Sequence, residues 1–229
     1  MEFMRPIFNK SKNKPKILKK IKKQNEVFIS IGRKCGIRHN IHKFIGEKET
    51  HFFDWLITDM NSVNKVFGAK DINLLINPST VKKDEKNPFG FTDNTYRYHI
   101  TSLSHCESLH DVPRGSNKKQ ELALVQRYVR RYHRLINLIK QKNIKIYFVR
   151  NGNITETERN EFIKNILSHN NNCNFKLVEC NYVKKSNSKY YTNINLNNYK
   201  INSDKNVEEN WKLSNFKWKN IFNDIKKIK

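Results

Sequence analysis

Residues 118–180 constrain the fold more than any other stretch. The segment 118–142 places Leu122, Val125, Val129, Tyr132, Leu135 and Ile139 on one helical face at three- and four-residue steps. "IKIYFVRN" follows at once, a β-branched and aromatic run suited to a strand buried on both faces. Thr155-x-x-Glu158 then forms a capping box that opens a helix through Leu167, and "NFKLVECN" is a further strand. Helix, strand, helix and strand in such close succession predict parallel strands joined by crossover helices.

The flanking segments extend the same alternation. "EVFISIG" is a short apolar run ended by glycine, read as a buried strand. Ile37, Ile41, Phe44 and Ile45 then recur at helical spacing, and "HFFDWLI" is a short strand or an ordered loop. "TDMNSVNKVFG" reads as a helix capped by Thr58 or Asp59 and stopped at Gly68. Residues 69–97 look loop-rich, "YHITSLSH" alternates as a strand would, and 184–206 is asparagine-rich and irregular. Trp218, Ile221, Phe222 and Ile225 predict a final amphipathic helix, with Trp211 docking before it.

The expectation is one layered α/β domain over residues 26–229, with a mainly parallel sheet flanked by helices, behind a basic, mobile tail of residues 1–25. In such sheets the functional crevice lies beyond the carboxyl ends of the strands. Cys35, His110 and Arg150 each closely follow a predicted strand.

Composition narrows the setting. The net charge of +24 suits nucleic acid or another polyanion, reached through the basic tail, which also has the makeup of a nuclear address. Abundant lysine, asparagine and isoleucine equally fit an A/T-rich coding bias. Four cysteines without CxxC spacing fit free thiols in a reduced, intracellular and cytoplasmic protein. No apolar run approaches the ~18 residues of a membrane span, and the N-terminal residues carry no secretory apolar segment.

Several residue types could carry chemistry. A strand ending at Gly32 and a helix starting near Cys35 put a thiol at a helix N-terminus, where unpaired N–H groups and Arg33, Lys34 and Arg38 favour thiolate. A cysteine nucleophile needs a base. His110, in "SLHDVP", is the candidate, with His39 a local rival one turn along the Cys35 helix. Two acids compete to orient the base. Asp111 is adjacent, but neighbours on an extended strand point to opposite faces. Asp54 lies inside an apolar run, where a carboxylate needs a partner. Arg150, at the end of a strand, could bind a carboxylate or phosphate, with Arg131 and Trp55 as further substrate contacts. His105, Cys106 and His110 with Glu107 offer metal-ligand types, but the spacing matches no familiar zinc pattern, and no metal or cofactor is expected.

Ser30-Ile31-Gly32, Cys35 three residues on, Phe53-Asp54-Trp55, His110-Asp111, the arginine-rich helix "RYVRRYHRLINLI" and "IYFVRN" together resemble the family described as putative papain-like cysteine peptidases, otherwise a domain of unknown function. The resemblance is good over residues 26–152 and weaker beyond. Family members commonly have proline before Phe-Asp-Trp and leucine in the Ser-Leu-Gly element, where this chain has Phe52 and Ile31. The resemblance implies Cys35 as nucleophile, His110 as base and Asp54 or Asp111 as the third member. It also implies a papain-like α+β fold, against the layered reading. The function expected is thiolate attack on a peptide, amide or other acyl substrate. The alternatives are a non-catalytic nucleic-acid or polyanion binder, and a phosphate- or sugar-phosphate-binding protein using Arg150 and Arg131.

Overall fold

The computed structural model describes residues 26–33, 35–86, 94–182, 191–193, 198–203 and 218–227. The basic tail and Trp211 lie outside them. The elements in chain order are β1 (Glu26–Ser30), α1 (Gly36–Ile45), β2 (Leu56–Thr58), α2 (Met60–Phe67), a 3-10 turn (Ile72–Leu74), β3 (Val81–Lys83), β4 (Thr95–Ile100), β5 (Cys106–Pro113), α3 (Lys118–Ile139), β6 (Lys145–Asn151), α4 (Glu156–His169), β7 (Asn174–Tyr182), β8 (Tyr191–Asn193), β9 (Asn198–Ser203) and α5 (Trp218–Lys227).

The strands form two sheets. The first has the order β1-β6-β7-β9-β8, parallel throughout except for β8 against β9. Its strand β6 is buried on both faces over almost its whole length, as its apolar run requires. On β6, Ile146 and Phe148 face one apolar cluster with residues of α2, α3 and α4, while Tyr147 and Val149 face another with residues of α1 and α5. Period-two alternation thus divides one strand between two cores.

The second sheet corrects the expectation of a single, mainly parallel one. Its order is β2-β5-β4-β3, and every pairing is antiparallel. Only β3 and the start of β4 fall in residues 69–97, read as loop-rich; the rest of β4 lies in "YHITSLSH", read as a strand, and β2 in "HFFDWLI", read as a short strand or an ordered loop. Three-residue strands such as β2 and β3 are too short to show a period. Residues 191–193 and 198–203 are likewise strands within a stretch read as irregular. The architecture is α/β, with a largely parallel and an antiparallel sheet flanked by helices.

The helices keep the predicted caps. Asp59 accepts from the Ser62 N–H at the start of α2, and Thr155 and Glu158 close the capping box of α4. The face of α3 is rotated from the expected one: Leu124, Tyr128, Tyr132, Leu135 and Ile139 are buried, while Leu122 is exposed. Among the described residues no helix is long and apolar enough to cross a membrane.

Candidate functional site

The turn after β1 delivers the thiol. Gly32 and Arg33 have φ of 88° and 59°, and this left-handed turn ends with Cys35 at the N-cap of α1. A Cβ on Gly32 would overlap Thr58 Oγ1 of β2, so glycine is required by both backbone angle and space. Cys35 is buried, with 4% of its surface exposed. Its carbonyl accepts the first helical bond, from the His39 N–H at 3.1 Å.

His110 lies within β5, not after a strand as expected, and an irregular register aims it. Between the pairs Tyr96↔Val112 and Tyr98↔Ser108, only Arg97 of β4 stands opposite Leu109, His110 and Asp111 of β5. Such a bulge breaks the alternation of side chains and re-aims them. Ser108 Oγ accordingly reaches Asp111 Oδ2 at 2.7 Å, although in a regular strand residues three apart face opposite sides. The objection that Asp111 must point away from its neighbour therefore loses its premise.

Cys35 Sγ and His110 Nε2 are 3.6 Å apart, within hydrogen-bonding reach for sulfur. Two non-glycine residues among those described have positive φ, Arg33 and Trp55, and both flank this pair. Trp55, with φ 68°, sets its indole edge-on to the His110 ring, centroids 6.0 Å apart. Backbone conformations of this kind persist only where the surroundings enforce them, and they cluster at functional sites.

Burial lowers the pKa of His110 below the ordinary histidine range, while the nearby Asp111 charge works the other way. The imidazole is thus neutral at neutral pH, the state that accepts a proton. Asp111 is itself opposed by burial. Arg131, Ser108, Tyr128 and Arg127 outweigh that burial and hold its carboxyl below the usual range. Tyr128 Oη and Arg127 donate to its two oxygens at 2.7 and 2.9 Å, and Arg131 lies 3.7 Å away. Arg131 therefore belongs to the Asp111 network.

Asp54 is fully buried. It accepts the His51 N–H at 2.8 Å, and Arg38 Nε approaches the same oxygen at 3.2 Å. Burial pushes its carboxyl up to about 7 against the pull of Arg38. Arg150 departs from the role of a crevice anion-binder. It is only 4% exposed, and its terminal nitrogens donate to the carbonyls of Ile31 and Thr58 at 2.7 and 3.0 Å.

Among the described residues no group of three or more His, Cys, Asp or Glu is placed to hold a metal ion. Cys106 is buried, which drives its thiol well above the ordinary range, and His105 turns instead to Glu107 at 3.4 Å.

Ser108 and Tyr128 escaped the sequence reading, and Arg38 was read only as a charge favouring the Cys35 thiolate, not as the partner of Asp54. Tyr128 falls one position off the expected apolar face, and its role depends on the rotation of α3. Arg38 carried a usable signal: it lies three residues after Cys35, on the same side of the helix.

No solved structure matches this chain. Uncharacterized protein R408 of Acanthamoeba polyphaga mimivirus is 25% identical over 221 residues, covering 85% of this chain and 96% of that protein. The family model described as putative papain-like cysteine peptidase matches residues 26–185, the span that carries the strand-turn-helix with Cys35 and the bulged strand with His110, and the chain belongs to that family.

Proposed function

We propose that this protein is a cysteine hydrolase acting on a peptide, amide or other acyl substrate. The observation that carries this reading is the 3.6 Å separation of Cys35 Sγ from His110 Nε2, reached across two different sheets. The thiol proton passes to His110, and the sulfur attacks the acyl carbon. The oxyanion forms beside the opening N–H groups of α1. The imidazolium then protonates the leaving group, leaving a thioester that water, deprotonated by His110, hydrolyses.

Asp111 fits the third role better than Asp54. Its charge already acts on His110 and favours the imidazolium, whereas Asp54 is engaged with Arg38. Trp55 packs edge-on against the base and shields that side of it. None of the four cysteines is joined in a disulfide, which suits a reducing compartment that keeps a nucleophilic thiol available.

Peptide, amide and thioester reporter substrates, incubated with the protein and with its Cys35→Ala and His110→Ala variants, test the reading. Turnover of one class that both variants abolish supports it. Iodoacetamide labelling of Cys35 no faster than an ordinary thiol of pKa ~8.5, at every pH, refutes it.

A further inference from the structure

The nucleophile and the base belong to different sheets. Cys35 follows β1 of the parallel sheet, and His110 sits on β5 of the antiparallel one. Their separation is therefore set by how the two sheets dock. Apolar packing holds the layers together but is non-directional. Two buried arginines supply direction.

Arg150 is rooted in β6 of the first sheet. One terminal nitrogen donates to the Ile31 carbonyl, just before the turn that carries Cys35. The other donates to the Thr58 carbonyl, on β2 of the second sheet, whose residue pairs with Cys106 of the His110 strand. Arg38 makes the second link. It lies one turn beyond Cys35 on α1, 3% exposed, and meets Asp54 at 3.2 Å and the Glu47 carbonyl at 3.1 Å. The residue after Asp54 is Trp55, whose indole packs on His110. The two links thus flank Cys35 in the chain, and each ends on the segments that position His110.

Burying a guanidinium is costly, and apolar residues of equal volume often give equal stability. What the planar fork adds is a fixed distance and angle between the groups that it joins. Resting on the cysteine-hydrolase reading above, we propose that Arg38 and Arg150 are positioning residues that set the Cys35–His110 separation. Neither touches substrate in this role.

The test is the rate of Cys35 alkylation by iodoacetamide, followed from pH 5 to 9 by mass spectrometry on the full chain. His110→Ala, Arg38→Lys, Arg150→Lys and each lysine variant combined with His110→Ala are compared, with melting curves as the folding control. His110→Ala is expected to slow alkylation at pH 6.5 about 10-fold or more. Each lysine variant reproduces most of that loss, since displacement by ~1 Å can cost up to ~100-fold. In the His110→Ala background neither lysine substitution slows the reaction further.

A folded lysine variant with the parent pH profile overturns the proposal. So does one that slows alkylation by the same factor with and without His110. If His110→Ala alone changes nothing, it is the hydrolase reading that fails first, and the two failures are distinct. Where Arg150→Lys does not fold, Arg150→Gln replaces it, and Asp54→Asn opens the Arg38 link from its other end.

Discussion

The Trp55 indole meets the His110 imidazole edge-on, with ring centroids 6.0 Å apart and planes at 74°. Desolvation by burial is the larger influence on His110, and the indole packs against that ring. Trp55→Ala is expected to raise the His110 pKa toward the ordinary 6.5, readable as an NMR titration of the imidazole. A titration midpoint that does not move would show that the indole contributes nothing to the shielding.

His51 and Asp54 oppose one another on acidification. Burial, with Arg38, Arg134 and Arg131 nearby, lowers His51 to about 3, so between 6.5 and 3 the unfolded chain binds more protons. Stability from His51 therefore falls as pH falls through that window. Asp54 is raised from 3.8 to about 7 by burial, with Glu47 adding, against Arg38, the His51 N–H and Arg131. Between those values the folded state binds more protons, and stability from Asp54 rises as pH falls. Relative to the parent, His51→Gln should gain melting temperature from pH 6.5 to 4.5, and Asp54→Asn should lose it. Identical slopes in all three proteins would contradict both assignments.

Tyr128 donates to Asp111 Oδ2 at 2.7 Å in a buried setting. Tyr128→Phe removes a hydrogen bond to a charged acceptor and should cost about 1.5–3 kcal/mol in urea unfolding. Asp111 is held below its unfolded value, so its stabilisation is present above about pH 4 and is lost as pH falls through the folded value. With one donor gone the folded value rises, and the variant should lose less stability than the parent between pH 5 and pH 2. An acid limb as steep as the parent's argues against the network.

Gly32 and Gly46 separate strain from collision. Both have left-handed φ, 88° and 80°, but a Cβ on Gly46 meets nothing within 4 Å, whereas one on Gly32 overlaps Thr58 Oγ1. Gly46→Ala should cost about 1–2 kcal/mol, the price of the backbone conformation alone. Gly32→Ala should cost about 3 kcal/mol or more, because the sheets must also part. Equal losses by calorimetry would mean that the sheets are not in close contact there.

Much of this molecule was legible from side-chain patterns. The parallel strands announced themselves because a strand buried on both faces must be apolar without interruption, as in "IKIYFVRN". The capping box of α4 and the glycine after β1 were readable for the same reason: each is a local constraint with a residue-level signature. The antiparallel sheet was not, since β2 and β3 have three residues each and their pairing is decided by distant partners. Cys35 and His110 were named, but the route by which they meet was hidden. It depends on a register shift between β4 and β5 that no single strand's sequence encodes. Arg150 looked like an anion-binder because its position at a strand end was visible and its two carbonyl partners, 119 and 92 residues away in the chain, were not.

The three-against-one pairing at Leu109, His110 and Asp111 makes the encounter of thiol and imidazole a matter of counting. Side chains alternate with period two in the regular pairing on either side, so removing one residue from that segment changes which side of the sheet the imidazole takes relative to its neighbours, with Cys35 and His110 both kept. For chains built on this plan, the length of one short segment is an inherited variable that joins or separates sulfur and nitrogen, beside the docking of the sheets. Two relatives with the same cysteine and the same histidine can thus differ in whether they have a reactive centre at all.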